Sequence, residues 1–488
     1  MKLWIKELAE DYIKLAWEKK EGDSYRIYWA DKDTKTVKFQ CQGETKENEY
    51  VLKMSTHVNH YFKVAVIKDG KETEVSDVVR TDVGRVFHEQ LEKLSRGLVA
   101  AKTPEGIFLS WRFMLDEVNG YGDTGLTGVN FNLYKNDELL DYICDTTNYI
   151  DKNGSMDDLY QVEPVLLDGS KGEKSEKVKA FSSGENYIDI PLLIPEPGVT
   201  PAGQHYSYNA NDMSIGDVDG DGEYEYLVKW DPTNSKDVSH TGYTGKCFID
   251  CYKLDGTILW RLDMGCNIRA GAHYTQFMVY DFDGDGKAEI SVKSAPGTKM
   301  IHYNPDQTIK SETYITMPEE DIKAGYSHED DYRMSNEDYI NHLVKVFMGW
   351  RDHKEVKAGN WPSTLEECFG IEKKYNYPLN KEDAKELVDY FIDVFATKRS
   401  PNNKLRNFEG FILEGPEYLT MFAGDGSELE TIPYPYERVD DGLLWGDYSM
   451  NRIEPGNRVD RFLSGVAYLD GERPYLIVCR GYYTRATV

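Results

Sequence analysis

Positive charge, paired cysteines and long apolar runs are all scarce in this sequence, and each shortage removes a class of protein. Lysine and arginine number 57 against 85 aspartates and glutamates, for a formal net charge of −28. A phosphate backbone is held by a basic footprint, and none is visible, which excludes nucleic acid as a partner. The seven cysteines (Cys41, Cys144, Cys247, Cys251, Cys266, Cys368, Cys479) are scattered and odd in number. They make no CxxC pair and no disulfide framework. No apolar run approaches the roughly 20 residues of a membrane-spanning helix, so no membrane partner is expected. The first residues, MKLWIKELAEDYIKLAWEKK, mix charges throughout and hold no apolar secretory core. These absences point to a soluble chain in the cytoplasm, expected as a monomer.

What the chain does have is globular. Hydrophobic residues make up 40% of 488 and aromatics 13%, enough for two to four domains. Tyrosine is abundant, 35 against 18 phenylalanines. Its flat apolar face and polar tip suit β-sheets and sugar-binding surfaces alike.

Strand periodicity dominates the first half. YIKLAW, YRIYWAD, TVKFQC and HYFKVAVIKDGKETEVSDVV alternate in the manner of short strands, with a hairpin turn at Asp69-Gly70 and Trp17 facing inward. This predicts a small sandwich of the fibronectin type III kind over 1–85. GIFLSWR and VNFNLYKND, around Trp111 and Leu133, echo that pattern and predict a small β-sheet domain over 88–195. The polar linker DVGRVFHEQLEKLS between them is expected to form a short helical turn. From about 200 to 488 short strands are punctuated by Gly and Asp, and LDGTILWRLDMG and MFAGDGSELETI share a strand–turn–strand plan. Repeated four-stranded units of this sort predict a β-propeller, with a many-stranded sandwich as the alternative. One stretch departs from the strand pattern. MSNEDYINHLVKVFMGW places Ile340, Leu343, Val344 and Phe347 at helical spacing, with Ser335 and Asp338 as a capping pair. NKEDAKELVDYFIDVFATKR does the same with Leu387, Phe391, Val394 and Phe395. A helical insertion over about 305–405 follows.

Two stretches carry chemistry. DVDGDGEYEYLVKWD begins at 217, and DFDGDGKAEISVKS begins at 281. Alternation gathers Asp217, Asp219 and Asp221 in one tight loop and Asp281, Asp283 and Asp285 in the other. Carboxylates so crowded repel one another unless a hard cation sits among them, and an oxygen-only set suits calcium. Glu225 and Glu289 complete the two copies, with Glu223 and Lys287 at matching loop positions. These are not EF-hands: loop position twelve is Val228 or Val292, and a strand follows where a helix would be needed. Calcium loops are typical of extracellular modules, so a secreted location is the alternative to the cytoplasmic one.

KLSRGLVAAKTPEGIFLSWR, YNANDMSIGDVDGDGEYEYLVKWDPTNSKD, the HTGYTGK to AEISVK run, EGPEYLTMF and NRVDRFLSGVAYLDGERPYLIVCRGYYTR resemble the polysaccharide lyase family 11 rhamnogalacturonan lyases. The likeness covers roughly 90–300 and 410–488. It implies an eight-bladed propeller preceded by a small β-domain, several bound calcium ions, and cleavage of the rhamnose–galacturonate backbone of pectin by β-elimination. The expected partner is therefore an acidic plant cell-wall polysaccharide or its oligosaccharides. Asn211 and Asp231 match residues that the family places around the sugar: Asn211 for sugar hydroxyls, Asp231 to help hold a cation. Without the insertion, about 190 residues of propeller remain, or four to five blades at roughly 40–45 residues each. The ring is thus expected to be incomplete. SMNRIEPGNRVDR is longer than the family's corresponding run, which puts Asp447 and Asn451 in doubt.

β-Elimination needs a group to take the proton at C5 of a uronate. Candidates here are His273, Arg480 and Arg485, with Arg269 better suited to clamping the substrate carboxylate. A different class of function is also open: a non-catalytic, calcium-stabilised propeller that binds glycans or proteins.

Overall fold

The computed structural model describes residues 1–9, 11–30, 38–54, 60–81, 94–122, 125–144, 146–166, 168–237, 240–399, 405–436, 460–470, 473–481 and 487–488. The helical turn expected in the linker, and Arg485, Asp447 and Asn451, lie outside them. The chain divides into two compact units, Met1–Asp189 and Ile190–Val488.

In the first unit, eight strands come first: β1 (Leu3–Leu8), β2 (Tyr12–Trp17), β3 (Ser24–Ala30), β4 (Gln40–Thr45), β5 (Glu49–Lys53), β6 (Tyr61–Lys68), β7 (Lys71–Val75) and β8 (Val79–Arg80). They form two antiparallel sheets, β1-β2-β5 and β4-β3-β6-β7, with β8 also on β6. Inward residues of both sheets, Ile13, Leu15 and Trp17 from one and Ile27, Phe62 and Val64 from the other, meet in one core. Two antiparallel sheets around one core form a small sandwich, and the alternation predicts strands with one buried face. Asp69 and Gly70 both take positive φ, +51° and +74°, as a two-residue hairpin of matching twist demands. Trp17 is fully buried and packs edge-on to Tyr25 at 5.3 Å. Trp17→Ala is expected to cost about 3–5 kcal/mol, read as a fall in the denaturation midpoint of the sandwich.

Eight more strands follow: β9 (Val99–Thr103), β10 (Gly106–Ser110), β11 (Val118–Gly122), β12 (Gly125–Gly128), β13 (Asn130–Lys135), β14 (Glu138–Ile143), β15 (Asn148–Asp151) and β16 (Tyr160–Val165). Three-stranded sheets β15-β10-β9 and β14-β13-β16 enclose a core around Leu109, Trp111, Leu133 and Tyr160.

The second unit is built from β17 (Gly198–Val199), β18 (His205–Tyr206), β19 (Tyr208–Gly216), β20 (Glu225–Pro232), β21 (Phe248–Tyr252), β22 (Ile258–Asp263), β23 (Phe277–Tyr280), β24 (Glu289–Ser294), β25 (Lys299–Tyr303), β26 (Ile309–Tyr314), β27 (Tyr418–Phe422), β28 (Glu428–Pro433), β29 (Phe462–Ala467) and β30 (Tyr475–Arg480). Repeated four-stranded units are not what forms throughout. One sheet has six strands, β19-β20-β21-β22-β25-β26, one has four, β23-β24-β27-β28, and β29-β30 pair alone among the described residues. The reason is that the β25–β26 hairpin joins the free edge of β22, through Trp260↔His302 to Asp263↔Lys299, instead of extending β24. Leu227, Ile249, Trp260 and Leu262 of the larger sheet share a core with Ile290, Val292, Tyr418 and Phe422 of the smaller.

The helical segment starts later than the composition suggests, since 309–314 is still strand. It holds α1 (Glu319–Ala324), α2 (Asn336–Met348), α3 (Lys354–Lys357), α4 (Leu365–Phe369), α5 (Lys381–Tyr390) and α6 (Thr397–Arg399). The Ser335 hydroxyl accepts from the Asp338 backbone N–H, and the Asp338 carboxylate accepts in return from the Ser335 N–H, closing the capping box. After α5 the chain widens into a π-helical turn, Phe391–Ala396. The wider turn rotates the stripe. Phe391, Ile392, Phe395 and Ala396 are buried, and Val394 stays half-exposed. With Leu343, Val344 and Phe347 they make a core of their own.

Candidate functional site

The two Asp-rich loops adopt one design. In the first, the Asp217 carboxylate accepts from the backbone N–H groups of Gly220 (2.7 Å) and Gly222 (2.9 Å), and Glu225 accepts from Val218 (3.0 Å). In the second, Asp281 accepts from Gly284 (2.7 Å) and Gly286 (2.9 Å), and Glu289 from Phe282 (2.7 Å). Gly222 and Gly286 take φ of +91° and +89°, the left-handed turn that brings the donors inward. Asp217 and Asp281 are fully buried, and Glu225 and Glu289 nearly so. The Ala288 N–H donates to the Asp217 carbonyl at 2.7 Å, tying the loops side by side.

Carboxylate oxygens of Asp217, Asp219 and Glu225 converge within 4.8 Å of one another, as do those of Asp281, Asp283 and Asp285. Asp221 and Glu289 flank these triplets. Glu223 and Lys287 contribute backbone N–H donors to Asp221 (2.9 Å) and Asp285 (2.8 Å), so that position serves through the main chain. Burial, opposed by the Val218 N–H and reinforced by Asp219 and Asp221, pushes the Glu225 carboxyl up to about 7. Burial does the same to Glu289, again to about 7, and raises Asp281. Packed carboxylates that resist ionising are the electrostatic signature of a site that a cation would relieve. The donors are all oxygen, a set that fits a hard divalent ion. The loops also differ in a neighbouring cation: the Lys253 ammonium reaches Asp219 (2.6 Å), Asp221 (3.4 Å) and Glu225 (3.9 Å) of the first.

Asp231 sits at the far end of β20, about 20 Å from Glu225 at the rise of a strand, and is not part of the first cradle. Asn211 is exposed on β19 near that same end. A network pins the middle of the sheet: the buried Asp250 carboxylate accepts from Trp230 (2.8 Å), Tyr252 (2.6 Å) and both sides of the Arg261 fork (2.7 Å each).

The segment leaving β20 packs on residues 270–273. The Lys236 N–H donates to the Ala270 carbonyl at 3.0 Å. Gly271 lies so close that an added Cβ would fall 1.9 Å from the Lys236 carbonyl oxygen, a position only glycine can occupy. The result is a pairing that sequence spacing conceals: His273 Nδ1 meets Asp237 Oδ1 at 2.6 Å, with the imidazole about a quarter exposed. Occupying Nδ1 in this way orients the ring and leaves Nε2 for other work.

The arginines have other surroundings. Arg269 is nearly fully buried, donates to the His240 and Gly242 carbonyls and to Tyr274, and lies over the Phe411 ring at 3.9 Å. It is not placed to clamp an incoming carboxylate; it holds the 240–242 turn. Arg480 is fully buried and bridges Glu417 (2.7 Å) and Asp460 (3.6 Å), which rules it out as a solvent-facing proton acceptor. Asp237, Asp212 and Lys229 were missed by motif reading; the Asp217-type loops gave a signal, but a pair made across 36 residues gives none.

Antiparallel sheets carrying two carboxylate clusters that could hold a metal ion, together with a histidine–aspartate pair, define a multi-sheet β-protein. A profile described as "Rhamnogalacturonan lyase family 11, C-terminal domain" matches 187–304 and 397–488, and "Rhamnogalacturonan I lyases beta-sheet domain" matches 89–181. The chain belongs to rhamnogalacturonan lyase family 11. It is 40% identical over 404 residues to the rhamnogalacturonan exolyase YesX of Bacillus subtilis (strain 168), covering 82% of this chain and 48% of that protein. To the endolyase YesW of the same organism it is 41% identical over 400 residues, 81% of this chain and 46% of the relative. The crystal structure of the exotype lyase YesX aligns with a TM-score of 0.53 at 39% identity, over 82% of this chain and 48% of that one. The Bacillus licheniformis rhamnogalacturonan lyase PL11 aligns equally well, at 40% identity over 82% and 50%. The chain spans about half the length of the curated relatives it matches. The 305–396 gap in the family profile coincides with the helical segment and the hairpin strand β26.

Proposed function

We propose that this chain carries the activity its relatives are named for, cleaving rhamnogalacturonan I of pectin, and does so by β-elimination with calcium in both cradles. The observation that supports this most is that the family match runs through the segment holding both cradles and the His273–Asp237 pair. The two larger sheets of the second unit read as neighbouring parts of a β-propeller of the eight-bladed type.

The cradles lie at the strand ends opposite His273, about 20 Å along β20, so calcium held there would fix the sheets that carry the site. The chain's own residues do the rest. His273 takes the C5 proton at Nε2 while Asp237 holds Nδ1 and stabilises the imidazolium formed. Electron density then moves into the C4–C5 bond, and the O4 substituent leaves. Asn211 and Asp231 orient the sugar. Cations in the cradles would also reduce the net charge of −28 that a polyanion meets.

The test is ultraviolet absorption of unsaturated uronide released from rhamnogalacturonan I, with and without a chelator. Binding of the polymer without release of that chromophore would favour the non-catalytic alternative. Calcium titration adds a finer check. Since Lys253 already lies against the first cradle, Lys253→Met is expected to tighten calcium there by about tenfold and leave the second unchanged, as read by calorimetry. Unaltered affinities would show that the lysine does not compete.

A further inference from the structure

The strand pairing at the Asn211 end of the sheet singles out a residue that no motif marks. β19 and β20 pair as Ala210↔Trp230 and then Met213↔Val228. One residue, Lys229, therefore stands opposite two, Asn211 and Asp212. Such a bulge turns side chains out of the ladder, and bulges recur beside active sites for that reason.

Lys229 is an unusual occupant. Its side chain is only 3% exposed, whereas that of its partner Asp212 is 67% exposed. Lysine is almost never so buried unless its charge is paired. Here the ammonium donates to the Asp212 carboxylate, which belongs to the bulge itself. The ion pair thus reaches from the floor of the sheet to the residue next to Asn211. Asp231 lies two residues further along the same face of β20, and the Lys229 charge opposes the effect of burial on its carboxyl.

We propose that Lys229 is a positioning residue: by holding Asp212 from beneath, it fixes the bulge that presents the Asn211 amide to the hydroxyls of an acidic sugar chain. This rests on the reading that Asn211 faces substrate. Lys229 has no access to the sugar, so its effect passes through Asn211. Methionine would keep the apolar stem and lose the charge, freeing Asp212 and leaving the bulge without its anchor.

The test uses the full chain with saturating calcium and rhamnogalacturonan I oligosaccharides as probe, with binding by calorimetry and turnover by ultraviolet absorption. Lys229→Met and Asn211→Ala are each expected to weaken oligosaccharide binding about tenfold, and the double variant no further, since the two act as one unit. Lys229→Arg should recover most of the loss. Asp212→Asn, an exposed change that leaves the core intact, should weaken binding in the same direction, and calcium stoichiometry should be unchanged in all five variants. Lys229→Met and Asp212→Asn both binding as wild type would overturn the proposal, as would strictly additive losses in the double variant. Failure of the wild-type chain to bind the oligosaccharide at all would instead overturn the functional reading beneath it.

Discussion

Chelating divalent ions is expected to lower the melting temperature of the 190–488 unit by on the order of 10 °C and to abolish uronide release. Each cradle would bind an ion in the native state only, because the three converging carboxylates are assembled by the turn. At a free ion concentration 100-fold above Kd, such linkage contributes about 2.7 kcal/mol per site. Two sites in a unit of this size translate into a shift of that order. The pH dependence follows from Glu225 and Glu289, whose carboxyls burial raises to about 7 in the ion-free protein. A raised folded-state pKa favours folding fully below the unfolded value and loses that contribution as pH rises through about 7. The ion-free protein should therefore melt higher at pH 5 than at pH 8. Calcium should reverse the trend, since it binds the deprotonated cradle. A melting temperature indifferent to both chelator and calcium would sink the metal reading.

His273→Ala should reduce turnover by about 10²–10⁴-fold with binding of the oligosaccharide little changed, the range for loss of a general base. Asp237→Asn should cost less, because the imidazole remains but loses its orienting charge. The comparison matters because the first substitution removes the acceptor and the second only its alignment. A His273→Ala enzyme retaining more than a tenth of wild-type turnover would move the proton acceptor elsewhere in the chain. Arg480 is no substitute in that event: it is locked between Glu417 and Asp460 without solvent access.

Much of this was visible in the residue order. Alternation in YIKLAW and HYFKVAVIKDG marks strands with one buried face, and Trp17, Phe62 and Val64 occupy it. Helical spacing and a Ser335/Asp338 cap announce α2. The cradles were the plainest signal, because their chemistry is local: aspartates two apart, a left-handed glycine and a glutamate all fall within nine residues. Other features were hidden for equally physical reasons. Arg480 read as a candidate proton acceptor and Arg269 as a clamp for the substrate carboxylate, since a sequence does not reveal which charge is paired in the interior. Val394 fits an α-helical stripe, but the π-helical turn buries Ile392 in its place.

By itself, then, the sequence determined the features whose causes are short-range: strand and helix periodicity, the caps, both carboxylate loops, and through its motifs the family. Only the tertiary structure decided which distant pieces meet. It placed the β25–β26 hairpin on β22, joined His273 to Asp237, and set a buried Lys229 beneath the Asn211–Asp212 bulge. Those outcomes depend on register between strands and on burial, which are properties of pairs of segments and are written in neither segment alone.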